Sequence, residues 1–95
     1  MVGITQEANR WQLSGDLIIE NINQVLDASK ALTLSNPTQL DFTAVTDADT
    51  SAISLVLELK RRASAENMEL SLTNVPANLV SLMQLYGVDD FVLPN

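Results

Sequence analysis

Apolar and polar positions change period several times along this chain, and each change marks an element. Val2 to Gln6 reads as a first short strand and Arg10 to Leu13 as a second, because Trp11 and Leu13 alternate with Arg10 and Gln12. Ser14-Gly15-Asp16 punctuates the chain, and the spacing then lengthens. Ile22, Val25, Leu26 and Leu32 recur at helical steps, which predicts a helix over Glu20 to Leu34, closed by Asn36-Pro37. Thr38 to Phe42 predicts a third strand with Leu40 and Phe42 on one face. Thr43 to Asp49 reads as a polar loop. A second helix is expected from Thr50 or Ser51 to Ala65. Its start is apolar almost all round, with Ala52, Ile53, Leu55, Val56, Leu57 and Leu59, so it is expected to be covered on more than one side or to offer a face to a partner. Glu66-Asn67 breaks it, and Met68 to Thr73 predicts a fourth strand. Pro76 opens a third helix with Leu79, Leu82, Met83 and Tyr86 on its apolar face, and Gly87 is placed to follow its end. Phe91-Val92-Leu93-Pro94 forms a short apolar tail.

The order β-β-α-β-α-β-α implies an α/β fold: one domain over residues 1–95, with a mixed β-sheet of about four strands and helices packed on it. Hydrophobic residues make up 46% of the chain but only four are aromatic, so aliphatic side chains must fill the core. Twelve acids against five bases give a formal net charge of −7. That argues against nucleic acid or anionic lipid as a partner, since both require a basic surface. Three of the bases are adjacent, Lys60, Arg61 and Arg62, about 15 Å along the helix from Thr50. Two readings stay open for them: favourable charge at a helix C-terminus, or a docking spot for an acidic partner, to which Leu57 would add apolar contact. No signal peptide or membrane span is expected, and the expected location is cytoplasmic.

Cysteine and histidine are both missing, which removes thiolate chemistry, the commonest general base and the commonest metal ligand. No glycine-rich phosphate loop or nucleophile and base pairing is visible, so no catalytic residue, cofactor or metal is assigned. Asp47, Asp49, Ser51 and Glu58 fit the first, third, fifth and twelfth positions of a calcium loop. Ala52 stands where that loop needs glycine, and a helical pattern already runs through its second half. The dense polar segment is Asp47-Ala48-Asp49-Thr50-Ser51, at a strand-to-helix junction where α/β folds place ligand contacts. Read plainly, it caps a helix whose first N–H groups lack partners.

The segment Leu40 to Ala52, with its acidic strand, short loop and Asp49-Thr50-Ser51-Ala52, resembles the signature of STAS domains. Leu13-Ser14-Gly15-Asp16-Leu17 is similar to the family's glycine and acid turn before its first helix. Within the family, Asp49-Thr50 and the run Leu82 to Gly87 leading to Val92-Leu93-Pro94 look most like the STAS subunits of Mla phospholipid-transport ABC systems. Ala52 departs from the family's glycine. The resemblance implies a protein-binding module without turnover. Thr50 matches the phosphoacceptor position, Asp49 the acid before it, and Asp41 the acid at the strand end; Asp47 and Ser51 flank them. It further implies a subunit docked on a cytoplasmic ABC-transporter ATPase (MlaF-like), and through it the permease, peripheral to the inner membrane and supporting outer-membrane lipid asymmetry. The alternative it allows is an anti-sigma factor antagonist controlled by phosphorylation of Thr50.

Overall fold

In the computed structural model, which describes residues 2–87, the elements follow the expected order. They are β1 (Gly3–Glu7), β2 (Arg10–Leu17), α1 (Ile22–Ser29), β3 (Thr38–Ala48), α2 (Thr50–Ala65), β4 (Leu70–Thr73) and α3 (Ala77–Leu85). The apolar tail Phe91 to Pro94 lies outside the described residues.

The four strands form one mixed sheet in the order β1-β2-β3-β4. A tight hairpin makes β1 and β2 antiparallel, with Glu7 opposite Arg10. Helical crossovers make β2, β3 and β4 parallel. Strand alternation sends Trp11, Leu13, Leu40, Phe42, Leu70 and Leu72 into the core. The opposite face carries Gln12, Gln39, Ser71 and Thr73, all half-buried. Against the apolar face lie Ile22 and Val25 of α1, Leu55, Val56, Leu59 and Ala63 of α2, and Leu79 and Met83 of α3. Because α2 also borders α1 and α3, its all-round apolar start is almost wholly buried, and only Leu57 keeps real exposure, 38%.

Three boundaries differ most from the sequence reading, while β4 and α1 each begin two residues later than expected. Ser14-Gly15-Asp16 does not end β2, and Thr43 to Asp49 is not a loop: both strands continue, paired, as far as Leu17 and Ala48. Two register shifts make this possible. Between Gln12 and Ser14 the partner strand advances from Asp41 to Ala44, and between Gly15 and Asp16 it advances from Val45 to Asp47, so β3 carries one extra residue at each place. Gly15, at φ +79°, takes the left-handed backbone beside the second shift. The first helix is shorter than its apolar spacing suggests. After Ser29 the bonds tighten to three-residue turns, Lys30 to Asp27, Ala31 to Ala28 and Leu32 to Ser29, and the Ser29 hydroxyl donates to the Leu26 carbonyl at 2.7 Å. Leu32 and Leu34 still pack on the core, from a turn rather than a helix. Tyr86 leaves the buried face of α3 and is 60% exposed, while Gly87 adopts the expected left-handed conformation after the helix, φ +69°.

Leu55 and Leu57 lie on one helix with opposite surroundings. Leu55→Ala should cost about 2–5 kcal/mol through a core cavity. Leu57→Ala should cost less than about 1 kcal/mol in urea unfolding, since its side chain already meets solvent.

Candidate functional site

At the carboxyl end of the sheet, β3 hands over directly to α2 through Asp49. The Asp49 carboxylate caps the helix, accepting from the Ser51 backbone N–H at 2.8 Å. Its second oxygen accepts from the Ile19 N–H at 3.1 Å, and its own N–H donates to the Leu17 carbonyl at 3.2 Å. One side chain therefore holds the loop after β2 against the start of α2. Ser51 is buried and Ala52 fully so. The methyl by which Ala52 differs from the family's glycine lies in the core, away from the exposed Thr50.

Thr50 is exposed on the first turn, and no hydrogen bond among the described residues uses its hydroxyl. Around it lies a shallow pocket of about 530 Å³ lined by Ile19, Thr50, Ser51, Ile53, Ser54, Leu57 and Tyr86. Of the four large exposed apolar side chains among the described residues, three gather here, and Leu85, 77% exposed, does not line the pocket. Ile19 is 65% exposed, and Leu57 and Tyr86 join it on the same rim. Exposed apolar groups that cluster rather than scatter mark an interaction surface. The sequence reading named Thr50 and Leu57 but missed Ile19 and Tyr86. Ile19 falls before the helical period begins, and Tyr86 keeps that period while lying past the end of the packed face.

The other candidates have internal duties. Asp41 is not at a strand end; it lies mid-strand in β3, only 3% exposed. It accepts from the Thr43 hydroxyl at 2.6 Å, the Thr43 N–H at 3.0 Å and the Asn74 side-chain amide at 3.0 Å, with Arg10 at 3.7 Å. The Thr43 hydroxyl bond, reinforced by Asn74, the Thr43 N–H and Arg10 against the cost of burial, holds its carboxyl below the ordinary value. Asp47 accepts from the Ala48 N–H at 2.8 Å, and Thr46 donates to Asp16 at 2.6 Å. Both aspartates thus steady the chain at the second register shift. Arg61 is ion-paired with Glu58, and Arg62 donates to the Ser29 hydroxyl at 2.9 Å. Neither lines the pocket around Thr50. With α2 beginning at Thr50 and Asp49 committed to two N–H groups, no loop remains to wrap a cation through Glu58.

Comparison with known proteins decides the lineage. The family described as MlaB, STAS domain, matches residues 1–94. The chain belongs to the STAS family and is most like MlaB. No curated protein sequence matches it. Among solved structures, a crystal structure titled for Mglu superposes with a TM-score of 0.58 at 22% identity, over 78% of this chain and 19% of that one. A second, of Mglu in its native form, gives 0.51 at 15% identity, over 78% and 23%. The STAS chain thus spans about a fifth of the length of those neighbours, which share its fold. Among its described residues no helix is long and apolar enough to cross a membrane.

Two outcomes test this division of labour in the STAS domain. Asp49→Ala should lower stability by about 0.5–2 kcal/mol, the range for a lost helix cap, and the Ile19 amide should show one of the largest NMR shifts. For Asp41 the folded-state pKa lies below its ordinary 3.8, so its stabilisation is present above that value and is lost as pH falls through the lowered one. Asp41→Asn should therefore be less stable than wild type at neutral pH, and the gap should narrow as urea titrations move below pH 3.8.

Proposed function

We propose that this STAS domain is a non-catalytic docking subunit of an Mla-type phospholipid-transport ABC complex. It sits on the cytoplasmic ATPase through the surface around Thr50, reaches the permease only through that ATPase, and supports the assembly or activity that maintains outer-membrane lipid asymmetry. One observation carries this reading: the exposed apolar side chains Ile19, Leu57 and Tyr86 surround an exposed hydroxyl that no bond among the described residues uses. An apolar patch centred on one polar group suits protein docking, where fixed polar contacts set register and apolar burial supplies affinity. The family match to the MlaB type of STAS domain supports the choice of partner.

The phosphorylation-controlled antagonist is the second reading, favoured by the exposure of the Thr50 hydroxyl at a helix N-terminus, where the helix dipole favours negative charge. Against it stand Asp47 and Asp49, whose charges oppose a further charge of about −1.5 to −2.

Binding of the purified Mla ATPase subunit separates the two. Thr50→Ala should weaken it by about 1–3 kcal/mol, the cost of a hydrogen bond left unmade, and Thr50→Glu should weaken it more. Leu57→Asp should stay folded and lose at least about tenfold in affinity, because a charge would enter a desolvated contact. Full-strength binding by Thr50→Ala, together with phosphate found on Thr50 in cells, would transfer the protein to the antagonist reading.

A further inference from the structure

Charge is divided unevenly between the two ends of the sheet. The end that carries the Thr50 pocket holds Asp16, Glu20, Asp47 and Asp49, and no lysine or arginine among the described residues. All five bases lie toward the other end. Arg10 opens β2, Lys30 follows α1, and Lys60, Arg61 and Arg62 fall in the last turns of α2. The remaining described acids lie there too: Asp41 beside Arg10, Asp27 beside Lys30, Glu58 beside Arg61, and Glu7, Glu66 and Glu69 with no ion pair among the described residues. Six acids thus share that end with five bases, whereas the four at the pocket end share theirs with none among the described residues.

A second observation shows that this imbalance is a local cost. Asp16 and Asp47 are direct neighbours across β2 and β3, both exposed, in a register set by the second extra residue of β3. Like charges placed opposite one another on paired strands destabilise a sheet. Glu20 adjoins Ile19, whose N–H is held by Asp49, so an exposed carboxylate stands next to the apolar rim. The same end of the sheet thus combines a shallow apolar pocket, with Glu20 next to its Ile19, and further negative charge at Asp16 and Asp47.

We propose that this surface fits a protein face built as an apolar knob flanked by lysine and arginine, matched by Glu20 beside the pocket and by Asp16 and Asp47 farther along the same end of the sheet. The inference rests on the docking reading of the Thr50 surface and adds the chemistry of what it meets. Burying the knob removes Ile19, Leu57 and Tyr86 from water, and the surrounding cations relieve the Asp16 and Asp47 repulsion. Opposite potentials steer the encounter and exclude acidic faces. The run Lys60 to Arg62, about 15 Å away along α2, takes no part in it.

The test uses two synthetic amphipathic helical peptides with one identical leucine and phenylalanine face. One is flanked by lysine and arginine, the other by glutamate. Each is titrated into the isotopically labelled full chain and followed by NMR. The basic-flanked peptide should shift the Ile19, Thr50, Leu57 and Tyr86 amides saturably and bind at least about tenfold tighter than the acidic one, with the difference shrinking as salt rises. Glu20→Lys, combined with Asp47→Asn so that an oxygen remains for the Ala48 N–H, should narrow or reverse that preference. Arg61→Gln should leave it unchanged. Equal affinities, preference for the acidic peptide, shifts confined to other surfaces, or no shifts at all would overturn the proposal. If the basic peptide is preferred while the Mla ATPase fails to bind the same protein, the partner assignment falls and the chemistry of the surface stands.

Discussion

β3 runs beside β2 for the whole length of that strand but needs two more residues than β2 to do so. Parallel strands that differ in length in this way cannot stay in plain register, and the surplus is taken up as two local irregularities rather than as a loop. Much at the carboxyl end of the sheet follows from that arrangement. It keeps β3 paired through Ala48, delivers Asp49 beside the Leu17 carbonyl, and starts α2 without a connecting segment. A true loop in the same place would leave Asp49 free to wander, and neither the Ile19 loop nor the first turn of α2 would share its carboxylate.

The packing of α2 explains why the surface of so small a domain is so selectively apolar. The helix is enclosed by the sheet, α1 and α3, so most of its apolar residues are spent on the fold. What remains outside is Leu57, with Ile19 and Tyr86 brought to it by a loop and by the end of a neighbouring helix. Three separate segments therefore meet at one spot. No contiguous stretch of sequence could have produced that combination, and no single helix face contains it.

Much of this was readable in advance, for physical reasons that differ by element. Trp11 and Leu13, or Leu40 and Phe42, alternate because one sheet face is buried, and alternation is visible without coordinates. Asp49 before Thr50 announces a cap because its side chain competes for the N–H groups that a helix leaves open. The extension of β2 and β3 was not readable, since Ser14-Gly15-Asp16 has turn chemistry and only the partner strand shows that it stays paired. Asp41 was expected as the acid at a strand end. Its burial depends on Asn74, which lies 33 residues away in the chain and beyond the reach of any local pattern. Ile19 and Tyr86 were missed for a similar reason: each is ordinary in its own segment, and only the tertiary fold makes them neighbours.

The shared carboxylate of Asp49 has a dynamic consequence. Ile19 and Ser51 belong to different elements, yet their amide protons are held by two oxygens of one group. Swinging that side chain away would expose both amides at once, so the loop and the first helical turn form one unit of local opening instead of two. Solvent access to the backbone at this corner is then governed by a single rotamer transition, and the lifetime of the assembled surface is the residence time of that one side chain in its well.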